Sequence, residues 1–191
     1  EYLQAADILL PDGKGLVWGN NYLSALGKTQ KIEERIAGID LVKDLIGLTQ
    51  DKDLEAVLIG GHDYQPDQLP SNLTWIEGYQ QINQPQPNEE KDLKEFLLDK
   101  QPDIVFVAFG APQQEAWIFE HLDWLKQANV RIAMVVGGSF DVLTGRLKRA
   151  PDWMQQLGLE WLFRLLQQPW RWRRQLRLIE FSWMVFRSSL K

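Results

Sequence analysis

The chain has 191 residues, 45% of them hydrophobic and 25% charged, and a formal net charge of −5. That length and balance suit one folded domain of ordinary size and argue against disorder across most of the chain. There is no cysteine, which excludes disulfides, thiolate metal ligands and a cysteine nucleophile, and the two histidines, His62 and His121, lie too far apart in sequence to suggest a histidine-rich metal site.

In chain order, Ile39–Leu48 has helical spacing and feeds the apolar run Leu54–Ile59, which ends in Gly60-Gly61 and reads as a buried strand and tight turn. Gln80–Glu90 is a polar, Pro-containing connection. Glu89–Lys100 reads as a helix through Leu93, Phe96 and Leu97, stopped by Pro102. Asp103–Phe109 is a second strand ending at Gly110, and Gln114–Gln127 an amphipathic helix. Val130–Val136 is a third strand, ending in Gly137-Gly138. Strand–helix–strand with continuous apolar strands predicts an α/β fold, a mostly parallel sheet with helices on both faces. Ligands of such sheets bind beyond the carboxyl ends of the strands. Three glycine turns converging there point to a binding site, although glycine also simply makes turns. No G-x-G-x-x-G follows a strand and no P-loop sequence occurs, so dinucleotide and P-loop chemistry lack their markers.

Charge is distributed unevenly. Residues 1–145 carry 11 basic and 23 acidic side chains, whereas residues 146–191 carry 10 basic and 3 acidic, with five of the nine tryptophans after residue 150. We therefore divide the chain into an α/β domain, residues 1–150, and a basic, Trp-rich helical C-terminal appendage, residues 151–191. Met154, Leu157, Trp161, Leu162, Leu165 and Leu166 predict one apolar helical face, and Trp170, Arg171, Trp172, Arg173 and Arg174 alternate aromatic with cationic side chains. Such a surface suits an anionic membrane face, or alternatively a helix pair packed on the core or a dimer interface. No apolar run reaches the ~18 residues of a membrane-spanning helix, and no signal-peptide pattern opens the chain, so we expect a cytoplasmic, peripheral membrane protein. The acidic overall charge argues against a nucleic-acid partner.

Four segments carry candidate chemistry. In L-P-D-G-K-G-L-V-W, Asp12 sits in a Pro-Asp-Gly turn, an ordinary turn sequence that can also hold a general base beside a substrate. In G-A-P-Q-Q-E-A-W, Pro112 stiffens the strand-to-helix turn, Gln114 offers an amide to a sugar hydroxyl or phosphate, and Glu115 favours the helix dipole. In G-G-S-F-D-V-L-T-G-R-L-K-R-A-P, Asp141 follows the double glycine, and Arg146, Lys148 and Arg149 make either a phosphate-binding or a solvated basic loop. The fourth is the Trp-rich appendage itself. Asp51-Lys52-Asp53 spells the D-x-D pattern of metal-dependent glycosyltransferases, but it precedes the Leu54 strand, at the end of the sheet opposite the glycine turns.

These segments resemble the WecG/TagA/CpsF family of glycosyltransferases (glycosyltransferase family 26). The resemblance is carried by P-D-G-K-G-L-V-W, by E-R-I-A-G-I-D-L, by G-A-P-Q-Q-E-A-W, and by the block from Gly137 through L-G-L-E-W-L-F-R-L-L-Q-Q-P-W-R, and it spans Ala5 to about Arg177. It implies inverting transfer of an N-acetylmannosamine-type sugar from a UDP-sugar to N-acetylglucosamine on undecaprenyl diphosphate. The product would feed teichoic acid, common-antigen or capsule-like polymers of the cell surface. It further implies the family's own parallel α/β fold, a membrane-associating C-terminal appendage and no catalytic metal or other cofactor.

By the same resemblance, Asp12 is the general base, Arg35 a phosphate-binding arginine and Gln114 a positioning amide. Asp141 is a nucleotide contact, and Arg149, Arg164 and Arg171 are candidates for the diphosphates of donor or acceptor. Gly60, Gly61, Gly110, Pro112, Gly137 and Gly138 would line the substrate. Asp12 would need burial to become an effective base at neutral pH. Family members carry a further N-terminal strand with a T-x-N motif, whereas this chain opens at Glu1 in what reads as the helix before P-D-G. That makes a catalytically weak homologue, binding nucleotide or lipid diphosphate without turnover, the alternative expectation. A homo-oligomer is compatible with the sequence.

Overall fold

A computed structural model describes residues 2–190. Glu1, Lys191 and the side chains of Pro66 and Arg174, the last a member of the expected Trp/Arg alternation, lie outside the described residues. The elements in chain order are α1 (Lys14–Ala25), α2 (Gly38–Lys52), β1 (Ala56–Gly60), β2 (Leu73–Ile76), α3 (Pro87–Lys100), β3 (Ile104–Ala108), α4 (Gln113–Glu120), α5 (Leu122–Gln127), β4 (Ile132–Val135), α6 (Ser139–Leu143), α7 (Asp152–Gln156), α8 (Glu160–Gln167) and α9 (Trp172–Ser189). The chain forms two compact units. Residues up to Leu9 group with Ile39–Arg146 in a sheet unit, and Leu10–Gly38 group with Leu147–Lys191 in a helical unit.

The sheet unit holds four parallel strands in the order β2-β1-β3-β4. Parallel strands need both faces covered, and the alternation of side chains along β1 and β3 supplies two cores. Val57, Ile59, Val105 and Val107 point to one face, against Leu93 and Leu97 of α3, Trp117 of α4 and Leu125 of α5. Ala56, Leu58, Ile104 and Phe106 point to the other, against Val42 of α2 and Phe140 of α6. Each fully buried Val, Leu, Ile or Phe contributes about 1.5–3 kcal/mol. The expected α/β architecture is therefore present, with helices on both faces.

The structure differs from the sequence reading in several elements. The strand β2 lies at one edge of the sheet and β4 at the other; in β2 only Leu73 is fully buried and Thr74 interrupts L-T-W-I, so it lacks the continuous apolar signal of β1 and β3. The segment Gln114–Gln127 is two helices. His121 interrupts it at φ −113°, with its Nδ1 2.8 Å from the Trp117 carbonyl and its ring stacked on Trp117 at 4.7 Å. Among the described residues before P-D-G the expected helix is a short 3-10 turn, Tyr2–Ala5, packed through Tyr2 on Phe119 of α4. The helix start at α3 follows its local chemistry. Pro87 opens it, and the Glu89 carboxylate accepts the backbone N–H groups of Gln86 at 2.8 Å and Gln80 at 3.0 Å. These two bonds hold the Glu89 carboxyl below its ordinary value.

In the helical unit, α1 packs along α9. A Cβ on Gly19 would come within 3.0 Å of Phe181 and Val185, so glycine sets the close approach of these two helices. The Lys28 ammonium donates to the carbonyls of Ser188 at 2.7 Å and Ser189 at 3.0 Å, at the C-terminus of α9, where a cation is favoured. The apolar face expected across Met154–Leu166 is broken at Gly158, whose φ of +73° separates α7 from α8.

Candidate active site

At the carboxyl edge of the sheet unit, all three predicted glycine turns lie side by side, because β1, β3 and β4 are parallel and in register from Ile59 through Val107 to Val135. Gly60 and Gly61 have φ of +86° and +81°, and added Cβ atoms would sit 2.7 Å from the Phe109 ring and 2.4 Å from the Tyr64 ring. Aromatic rings occupy the space a side chain would need, which is a packing reason for the double glycine.

Two side-chain bonds tie the three turns together. Gln114, at the start of α4 after Gly110-Ala111-Pro112, is 6% exposed; its Oε1 accepts the Gly137 N–H at 3.1 Å and its Nε2 donates to Glu115 Oε1 at 3.1 Å. An acceptor is required opposite Gly137, so the amide orientation is fixed by chemistry. Much of the capacity expected to meet substrate is thus committed to joining the second turn to the third. Oε2 of Glu115 is buried without a hydrogen-bond partner among the described residues. The second tie is from Tyr64, in the loop after Gly61, whose hydroxyl donates to Asp141 Oδ1 of α6 at 2.9 Å. Beside the second turn is a recess of roughly 200 Å³ lined in part by Tyr79, Asn83, Glu90, Gln113 and His121. Burial pushes the Tyr79 hydroxyl up to about 12. Asp51, in the last turn of α2, and Asp53, just after it, are exposed and precede β1, at the amino edge of the sheet opposite the glycine turns.

The helical unit contains a second cluster. Arg35 Nη2 lies 3.3 Å from Asp12 Oδ1 and 2.5 Å from Glu160 Oε2, while its Nε donates to the Asp12 backbone carbonyl. The Arg35 side chain is 19% exposed and that of Asp12 58% exposed, so the burial expected around Asp12 is not there. The Asp12 carboxylate is accessible and oriented by a guanidinium. Glu160, in L-G-L-E-W-L, was not singled out from sequence; its partnership with Arg35 spans segments that only the fold brings together.

The sequence model described as the glycosyl transferase WecG/TagA/CpsF family matches residues 1–191. The chain belongs to this glycosyltransferase family. It is 33% identical over 195 residues to a Bacillus subtilis protein named N-acetylglucosaminyldiphosphoundecaprenol N-acetyl-beta-D-mannosaminyltransferase, with 99% of this chain and 72% of that protein covered. A Bacillus spizizenii protein of the same name is 31% identical over 193 residues, covering 98% of this chain and 71% of that protein.

In this glycosyltransferase, Gly60, Gly61, Gly110, Pro112, Gln114, Gly137, Gly138 and Asp141 belong to the sheet unit. Asp12, Arg35, Arg149, Arg164 and Arg171 belong to the helical unit. Arg149 is exposed, Arg164 is half-buried in α8, and Arg171 donates to Gln168 Oε1 at 3.0 Å. Arg146, read as one of a basic run, instead stacks on the Tyr64 ring at 4.8 Å and donates to the carbonyls of His62 and Asp63. Trp153, Leu166, Trp170, Trp172 and Trp183 are exposed. Among the described residues no helix is long and apolar enough to cross a membrane.

Proposed function

We propose that this glycosyltransferase moves an N-acetylmannosamine-type sugar from a UDP-sugar to N-acetylglucosamine carried on undecaprenyl diphosphate, with inversion at the sugar carbon. The names of the relatives at 33% and 31% identity support donor sugar and acceptor class. The observation that carries the mechanism is the Asp12–Arg35–Glu160 cluster. A general base must be ionised, accessible and held in place. Arg35 orients one Asp12 oxygen and the backbone carbonyl of the same residue, leaving Oδ2 to take a proton. The acceptor hydroxyl oxygen attacks the anomeric carbon, Asp12 takes its proton, and UDP departs from the opposite face. Glu160 competes for Arg35 and keeps it from neutralising Asp12 alone.

The donor nucleotide is held at the carboxyl edge of the sheet unit, with Asp141 contacting the nucleoside and Gln114 fixing the Gly137 turn. No metal is required. Arg149, Arg164 and Arg171 offset the negative charge of the diphosphates, as cationic side chains do when no divalent ion is present. The exposed tryptophans and basic residues of the C-terminal helices bring the protein to the inner face of the cytoplasmic membrane.

The test supplies UDP-N-acetylmannosamine and a short-chain lipid diphosphate bearing N-acetylglucosamine, and follows UDP release and disaccharide formation. The parent protein forms disaccharide. Asp12→Asn lowers turnover by about 10²–10⁴-fold, the usual contribution of a base, with UDP affinity retained. An Asp12→Asn variant of undiminished turnover overturns the base assignment. UDP binding without any product in the parent protein returns the chain to a binding role.

A further inference from the structure

Asp141 does not stand alone at the sheet edge. Tyr64 is 2% exposed, with its ring edge-on to Trp75 at 5.8 Å and tilted against Phe140 at 6.3 Å. Its inner side fills the space beside Gly61, where a Cβ would lie 2.4 Å away. Arg146 covers the ring on another side and ties down the His62 and Asp63 carbonyls. Trp75 Nε1 donates to the Gly60 carbonyl at 2.8 Å, fastening the start of the same loop. The phenol therefore has one place to be, and from it donates to Asp141 Oδ1 at 2.9 Å. Burial and the neighbouring Asp141 carboxylate hold the hydroxyl far above the ordinary phenol range, against the pull of Arg146, so it stays a donor throughout the working pH range.

We propose that Tyr64, clamped by Arg146 and Gly61, is a positioning residue that locks the Asp141 carboxylate so that Oδ2 is presented to a hydrogen-bond donor of the nucleoside half of the donor substrate. A carboxylate accepts only. With Oδ1 occupied by a fixed phenol, the rotation about the side chain is frozen, and Oδ2 takes no hydrogen bond among the described residues. It suits an N–H of the base or a hydroxyl of the ribose, and is unsuited to a phosphate. The inference rests on Asp141 as a nucleoside contact.

The experiment measures binding of UDP and of inorganic pyrophosphate by calorimetry to the parent protein, Tyr64→Phe, Asp141→Asn and the double variant. Tyr64→Phe keeps the ring packing and removes only the donor. A hydrogen bond to a charged group corresponds to roughly 10-fold in affinity. We expect Tyr64→Phe to weaken UDP about 10-fold, to leave pyrophosphate unchanged, and to add little in the Asp141→Asn background. If Asp141→Asn binds UDP as the parent does, the nucleoside contact itself is wrong. If Asp141→Asn weakens UDP but Tyr64→Phe does not, or if the two losses add fully, the clamp is wrong while the contact stands. Equal losses for UDP and pyrophosphate make Tyr64 a merely structural residue and overturn the proposal. Arg146→Gln provides a second variant: it should weaken UDP in the same direction and leave pyrophosphate unchanged, and parent-like UDP binding counts against the clamp.

Discussion

Gly61→Ala is the most demanding perturbation of the first turn. At φ +81° an L-residue loses about 1–2 kcal/mol from backbone strain alone. The new methyl would also lie 2.4 Å from Tyr64 Cε2 and 3.0 Å from its hydroxyl oxygen. Tyr64 cannot swing aside, because Trp75, Phe140 and Arg146 enclose it. Overpacking of this kind costs about 1–3 kcal/mol more. Gly145 provides the internal control, with φ +77° and nothing within 4 Å of an added Cβ. Urea denaturation should therefore show a loss of about 2–5 kcal/mol for Gly61→Ala against about 1–2 kcal/mol for Gly145→Ala. UDP affinity should fall only in the former, since displacing Tyr64 also displaces its bond to Asp141. Equal destabilisation by the two substitutions would refute the argument that the Tyr64 ring occupies this space.

Other perturbations reach other parts of the chain. Replacing Arg171 and Arg173 with Gln should weaken sedimentation with anionic liposomes by about 1 kcal/mol per cation, and unchanged binding would assign these residues to packing. Among the described residues no group of three or more His, Asp or Glu side chains is placed to hold a metal ion. The proposed mechanism uses no divalent ion, so chelator should leave transfer unaffected, and a strong loss would reopen the metal question. Glu89 has a lowered pKa, so its contribution to stability is present above its ordinary value of about 4.3 and disappears as pH falls through the lower folded value. Glu89→Gln should lower the midpoint of thermal unfolding at pH 7, with the difference from the parent vanishing at strongly acid pH; a constant difference across pH would show that charge is not the cause.

How legible each part was depended on how local its cause is. Strands β1 and β3 declared themselves because burial on both faces demands unbroken apolar runs, whereas β4, the other edge strand with no fully buried residue, was legible only from its own run I-A-M-V-V before Gly137. The edge strand β2 has only a half-buried face and gave no such run. Helix α1 was missed for a different reason. K-G-L-V-W-G-N-N-Y-L-S-A contains two glycines and two asparagines, poor helix formers, and its helix is supported by packing against α9 that no local window reveals. In the site, the glycine turns and the family motifs were visible, but the bonds among them were not. Tyr64 and Asp141 are 77 residues apart, and nothing in H-D-Y-Q-P-D-Q distinguishes a tyrosine that grips a distant carboxylate from one that fills a surface loop. Arg146 sat in a basic run whose composition suggested phosphate, whereas its position commits it to backbone carbonyls.

The contact of α1 with α9 joins the beginning of the helical unit to its last residues. On the ribosome this has a temporal meaning. Once α1 has emerged, its partner surface at Phe181 and Val185 is still to be translated. At about 5–20 residues per second, the delay is on the order of ten seconds. Over that interval the face of α1 around Gly19 waits unpaired while the intervening sheet unit can already fold, so the helical unit closes only with the arrival of α9.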